Sequence, residues 1–264
     1  MTGLTADFAS DTSLTGRVVL VTGASRGIGR AAALALAKAG AHVVALARTV
    51  GALEELDDAI KAEGGSATLV PADIKDFDAL DRLGAGIFER WGKLDGVLAN
   101  AGILGTMTPL AHHEPKRWDE VMAVNLTANW RLIRSLDPLL RASDAGRAVF
   151  ITSGAAHKYR AFWGSYAVSK AALEALALTY ASETQTTPIR VSLVNPGPLR
   201  TRMRATAMPG EDPSILRTPE ELAPQLVRML SPSWTQTGVI YDFPQDKVLW
   251  PSAPSSTPTS LPAE

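Results

Sequence analysis

Tyr166 and Lys170 stand four residues apart in GSYAVSKAAL, residues 164–173, a stretch whose alanines, leucines and lack of proline favour helix. Residues i and i+4 share one helix face, with Cβ atoms about 6 Å apart, so a phenol and an ammonium would project the same way. Such a pair can be a proton donor and the cation that tunes it. A free phenol titrates near pH ~10, too high for an efficient base at neutral pH, and a nearby positive charge favours the phenolate. Moving that pKa by about three units takes about 4 kcal/mol. The same spacing also suits an exposed surface pair, so the rest of the chain must decide.

Two further stretches bear on the choice. Ser153 ends the apolar run AVFITS, and its hydroxyl could hydrogen-bond a substrate oxygen as negative charge develops there. Thr152 competes for that role on the same run. After the apolar run RVVLV comes TGASRGIG, residues 22–29, and a helical pattern starts at once. Glycines at 23, 27 and 29 suit a tight turn, a close backbone approach to phosphate and close helix packing, and the helix N-terminus offers N–H groups to a pyrophosphate. The spacing is GxxxGxG, which departs from the GxGxxG dinucleotide fingerprint.

The elements that must hold these groups alternate. RVVLVT, AHVVALA, ATLVPAD, LDGVLAN, AVFITS, IRVSLV and GVIYDF read as strands. Between them lie GRAAALALAKAG, GALEELDDAIKAEG, FDALDRLGAGIFERWG, a long helix at about 115–142, the Tyr166 helix at about 165–184 and a helix near 219–230. Nearly continuous apolar strands imply a parallel sheet covered on both faces. The expected fold is a single-domain α/β, Rossmann-like, doubly wound parallel sheet of about seven strands with helices on both faces. Residues 14–250 form its catalytic domain, residues 1–13 a flexible N-terminal segment, and 251–264, with four prolines among small polar residues, a disordered tail.

The chain has 264 residues, 46% of them hydrophobic, enough for one large core. A formal net charge of −1 gives no electrostatic reason to expect nucleic acid or a membrane surface as partner. Without cysteine there is no disulfide and no thiolate metal site, and His42, His112, His113 and His157 show no metal-like spacing, so no metal is expected. The start MTGLTADFASD lacks a signal-peptide pattern and no run of 18 apolar residues occurs, which points to the cytoplasm.

TGASRGIG, ANAG at 99–102, Asn125 within a helical stretch, Ser153 thirteen residues before Tyr166, YAVSK, and NPG at 195–197 follow one another in an order and spacing that resembles the short-chain dehydrogenase/reductases. The resemblance covers roughly residues 14–245 and favours the compact TGxxxGxG branch, similar to a bacterial subgroup of unassigned substrate. A mild departure is Ala99, where the family often has a first asparagine. The resemblance implies Tyr166 as general acid/base, with Lys170 lowering its pKa and binding ribose hydroxyls. It selects Ser153 as the oxygen-stabilising hydroxyl, and Asn125 as the holder of a water that links the lysine to solvent. For the cofactor it implies Gly23, Ser25, Arg26, Gly27, Ile28 and Gly29 in the turn, and Arg48, Asp73 and Ile74 around the adenosine. Asn100, Ala101 and Gly102 complete that side; Pro196, Gly197, Leu199 and Thr201 face the nicotinamide carboxamide, beside Tyr166 and Lys170.

NAD sites usually carry an acidic residue at the end of the second strand. Here that place holds Ala47 followed by Arg48, so NADP is expected in preference to NAD, Arg26 approaching the same 2′-phosphate. The implied function is NADP(H)-dependent hydride transfer between nicotinamide and a carbonyl or alcohol substrate, in a homodimer or homotetramer built through the two long helices. The alternative is a catalytically silent NADP(H)-binding sensor or scaffold. His157, with Phe162 and Trp163, is a candidate pocket wall, and Arg200, Arg202, Arg204 and Arg217 lie where the family has a mobile substrate loop.

Overall fold

The strand cores VVLVT, HVVALA, GVLA and RAVFI contain hardly a polar residue, because each strand is sandwiched between helices rather than turned to water on one side. In the computed structural model of the chain, which describes residues 13–251, the first half runs β1 (Val18–Thr22), α1 (Gly27–Lys38), β2 (His42–Ala47), α2 (Val50–Ala62), β3 (Ser66–Pro71), α3 (Phe77–Trp91) and β4 (Gly96–Ala99). The second half runs α4 (Pro115–Met122), a π-helical turn (Ala123–Thr127), α5 (Ala128–Arg141), β5 (Arg147–Ile151), α6 (Ala155–Lys158), α7 (Gly164–Glu183) and β6 (Arg190–Asn195). It ends with α8 (Arg202–Ala207), α9 (Pro219–Leu230), β7 (Val239–Asp242) and β8 (Lys247–Leu249).

The strands form one sheet in the order β3-β2-β1-β4-β5-β6-β7-β8, parallel except for antiparallel β8. Two hydrophobic layers flank it. One includes Leu36 of α1, Leu53 and Leu56 of α2, and Leu222 and Leu226 of α9; the other includes Leu80 and Ile87 of α3, Leu132 and Leu136 of α5, and Leu173 and Ala177 of α7. Each fully buried leucine stabilises by about 1.5–3 kcal/mol relative to exposure. The strand order reverses between β1 and β4, which pair with each other in parallel, Leu20 opposite Val97. In an open α/β sheet, the crevice at the carboxyl ends beside such a switch is where ligands bind.

Two expectations need adjusting. The sheet has eight strands rather than seven, because three residues after the Pro244–Asp246 turn pair back on β7. The long helix expected at 115–142 is divided by the π turn, where Asn125 reaches out to a neighbouring loop. The Tyr166 helix spans Gly164–Glu183, close to the reading. Residues 1–12 and 252–264, which include most of the expected N-terminal segment and tail, lie outside the described residues.

Candidate active site

At the β1/β4 switch the chain turns tightly. Gly23 adopts φ +66°, and a Cβ there would sit 3.0 Å from Asn100 Nδ2 and 3.1 Å from Ala101 Cα. A Cβ on Gly29 would collide with the Gly23 carbonyl oxygen. These two positions therefore accept no larger residue without a shift of backbone. Asn100 holds the turn from the other strand: its Nδ2 donates to Thr22 O at 2.8 Å and its main-chain N–H to Thr22 Oγ1 at 3.0 Å, which also accepts from Ala101 N–H. Asn100 and Ala101 thus brace the turn, and Thr22 joins them as a residue that sequence reasoning passed over. Ser25 and Ile28 are part-exposed along the turn, and Gly27 opens α1. The glycine cradle and helix start suit a pyrophosphate.

Arg26, the residue before α1, and Arg48, just past β2, are both exposed. Arg48 Nη1 lies 3.7 Å from Asp73 Oδ2, with side chains 60% and 37% exposed, a loose surface pair. The other Asp73 oxygen accepts from Lys75 N–H at 2.9 Å, and Ile74 between them is buried.

The opposite wall is the end of β5 against α7. Lys170 is 4% exposed, and its ammonium donates to the Ile151 carbonyl at 2.7 Å while lying 5.8 Å from the centre of the Tyr166 ring. Burial lowers its pKa to about 8, with the Glu174 carboxylate pulling in the other direction. Burial also raises the Tyr166 phenol above its ordinary value, and hydrogen bonding to Ser153 opposes that rise. In this arrangement the ammonium is turned to a backbone carbonyl. The positive charge and the phenol are nonetheless brought to one place, with Ser153 beside them.

Asn125 is fully buried in the π turn. Its Oδ1 accepts from Ile103 N–H, and its Nδ2 donates to Ile103 O and Ser169 Oγ, each at 2.9 Å. Its main-chain carbonyl accepts from Asn129 Nδ2 at 2.8 Å. Asn125 therefore ties the π turn to both the post-β4 loop and α7. A Cβ at Gly102 would lie 3.3 Å from Asn125 Oδ1 and 3.6 Å from Lys170 Nζ, so the β4 loop runs directly over the lysine.

After β6, Asn195 Oδ1 accepts from Gly154 N–H at 2.9 Å and Gly197 N–H at 3.2 Å, and its Nδ2 donates to Asp242 Oδ2 at 2.8 Å. This asparagine locks the residue after Ser153, the Pro196-Gly197 turn and β7 together. Leu199 is buried and bridges to Arg217. Thr201 caps α8, its Oγ1 accepting from Arg204 N–H at 3.2 Å. Three of the four loop arginines are held internally. Arg200 donates to the carbonyls of Pro213, Ser214 and Leu216, Arg204 makes a bidentate pair with Glu211, and Arg217 pairs with Glu221 over the Phe243 ring.

Between α6 and α7, Tyr159 and Phe162 take left-handed φ of 46° and 71°, costly for bulky residues and of a kind that clusters at functional sites. Trp163 sets its ring edge-on to Tyr166 at 6.0 Å. His42 lies far down the β2–β3 ladder, bonding Ser66 and Thr68, and takes no part. Sequence reasoning missed Glu174. It is 5% exposed and continues the Tyr166–Lys170 spacing by one more turn, the signal that could have found it.

A doubly wound sheet with a glycine turn at its switch and a Ser, Tyr and Lys at the end of β5 defines a nucleotide-binding oxidoreductase. Residues 17–212 match the family described as short chain dehydrogenase, and the chain belongs to that family. It is similar to the oxidoreductase YciK of Escherichia coli K12, 40% identical over 233 residues, which spans 87% of this chain and 92% of the relative. An NAD-dependent oxidoreductase of Mycobacterium tuberculosis is 40% identical over 205 residues, 72% of this chain and 74% of that protein. A short chain dehydrogenase from Shigella flexneri, solved in complex with NADP, superposes with a TM-score of 0.82 at 38% identity, over 88% of this chain and 99% of that one.

Proposed function

We propose that the protein is an NADP(H)-dependent oxidoreductase that interconverts a carbonyl compound and its alcohol. The observation that carries this reading is the meeting of Ser153, Tyr166 and Lys170 where β5 runs out, with Lys170 anchored on the Ile151 carbonyl. The dinucleotide, when bound, supplies or takes up the hydride. Tyr166 gives its phenolic proton to the substrate oxygen in reduction and takes it back in oxidation. Ser153 donates a hydrogen bond to that oxygen as it becomes alkoxide-like. The Lys170 ammonium favours the phenolate and is the donor available to ribose hydroxyls, and Asn125 braces the loop above it.

The cofactor preference rests on Arg48 and Arg26. Arg48 occupies the place of an NAD-type acid, and its loose pair with Asp73 leaves the guanidinium free to turn to a 2′-phosphate. The NADP complex of the Shigella relative supports this reading; the NAD-dependent mycobacterial relative makes the measurement worthwhile. The internal pairing of Arg200, Arg204 and Arg217 favours a neutral substrate over an anionic one.

The test is NADPH consumption, followed by absorbance, over ketones, aldehydes, quinones and β-ketoacyl thioesters. Turnover of one class is expected. Micromolar cofactor binding with turnover of none would mark a silent sensor instead. A homodimer or homotetramer is proposed through α5 and α7, which expose Trp130, Val168, Ala171 and Ala175. Light scattering at micromolar concentration should give a multiple of 28.0 kDa; a monomer of that mass would contradict it.

A further inference from the structure

Three consecutive residues at the end of β5 each engage one residue of α7. The Ile151 carbonyl accepts from Lys170 at 2.7 Å, the Thr152 hydroxyl donates to Glu174 Oε1 at 2.6 Å, and Ser153 hydrogen-bonds toward the Tyr166 phenol. Tyr166, Lys170 and Glu174 are spaced i, i+4, i+8, so they form one line along the helix. The second Glu174 oxygen lies 2.7 Å from His157 Nε2 on α6, whose side chain is 63% exposed while that of Glu174 is 7% exposed. A buried carboxylate one turn below a buried ammonium, with both of its oxygens engaged and an imidazole between it and water, carries a desolvation cost that its partners must offset.

We propose that Glu174 is a positioning residue for the hydride-transfer reaction: its carboxylate pegs the Ser153 end of β5 onto α7 and sets a buried negative charge one helical turn from the Lys170 ammonium. The proposal rests on the reading of Tyr166 and Lys170 given above. Besides Tyr166 and Glu174 on its own helix, the groups that approach Lys170 are uncharged: the Ile151 carbonyl, the backbone at Gly102 and the Asn125 amide. His157 and its neighbour Lys158 on α6 are the titratable groups on the far side of Glu174. The Lys170 ammonium persists below about pH 8 because Glu174 opposes the effect of burial. Removing the carboxylate charge must lower the pH at which the ammonium is lost.

Glu174→Gln removes the charge and keeps groups able to bond Thr152 and His157. The readout is the titration of the Lys170 Cε resonance by NMR, assigned with Lys170→Met, alongside the pH profile of kcat. The midpoint is expected to fall by at least about one unit relative to the unaltered protein, with the alkaline limb of kcat moving equally, and Glu174→Asp should recover at least half of the shift. An unchanged midpoint in a folded Gln variant would overturn the proposal. If the Gln variant does not fold, Glu174→Met, uncharged and of similar length, decides: a midpoint at least about one unit below wild type supports the charge role, and an unchanged midpoint defeats it. Failure of the catalytic reading looks different, because Tyr166→Phe would then keep its activity whatever the lysine midpoint does.

Discussion

The two walls of the crevice are built on opposite plans. On the β5–α7 wall, Asn125, Tyr166, Lys170 and Glu174 are buried, and the protein itself supplies their partners. On the β1–β2 wall, the glycine turn is rigid, yet the cations Arg26 and Arg48 that would read the cofactor's far end are exposed, with one loose contact to Asp73. Chemistry that needs fixed geometry and shifted pKa values is placed where water is excluded. Recognition of a phosphate by these arginines would fall at the surface. Substitutions should therefore be ruinous on the first wall and adjustable on the second.

The sharpest way to break this contrast is Tyr166→Phe, which removes one phenolic oxygen. It should lower kcat by at least about a hundredfold while cofactor affinity stays the same. Activity within tenfold of the unaltered enzyme would mean that the buried wall does not perform the proton transfer. On the open wall, fluorescence titration should show NADPH binding at least about tenfold more tightly than NADH, roughly 1.4 kcal/mol. Ala47→Asp with Arg48→Ala should reverse the order without loss of fold, and equal affinities in the unaltered protein would remove the role given to the arginines. The smallest effect is one of pH. The Lys170 pKa lies below its ordinary value, so the ammonium is about nine-tenths present at pH 7, half lost near pH 8 and nearly gone by about pH 10. Turnover should accordingly be about halved near pH 8, and a flat profile to pH 10 would show that the ammonium is dispensable.

How much of this was legible in the sequence differs between the same two walls. The strand–helix rhythm and TGASRGIG are local patterns, and the glycine turn lies where they placed it. Tyr166 and Lys170 were legible as a pair from helix periodicity, while at the end of the apolar strand it took the family resemblance to select Ser153 over Thr152. Asn125 was located in a helix, but its π turn was hidden: VMAVNLTANW reads as unbroken helix, and the extra residue per turn accompanies bonds to Ile103 and Ser169 that are distant in sequence. The direction of the Lys170 ammonium was hidden for the same reason, since its acceptor is a carbonyl on another element. The loop arginines looked free because their partners, Glu211, Glu221 and three carbonyls, become neighbours only once the loop is folded. The last strand escaped notice because three residues, Lys247 to Leu249, are too few to show a period.

That short strand has a consequence for how the protein behaves in company. β7 is buried along its whole length, and its outer backbone edge, left bare, would be a template on which a strand from another chain could grow. β8 covers that edge antiparallel and then presents a new one that is three residues long, begins with an exposed lysine and is followed by Pro251. At the other margin β3 is only partly buried and finishes on Pro71, which lacks an N–H to offer. Both margins of the sheet are poor seeds for fibril-like growth. A chain cut before Lys247 would leave the β7 edge bare, a ribbon edge open to growth.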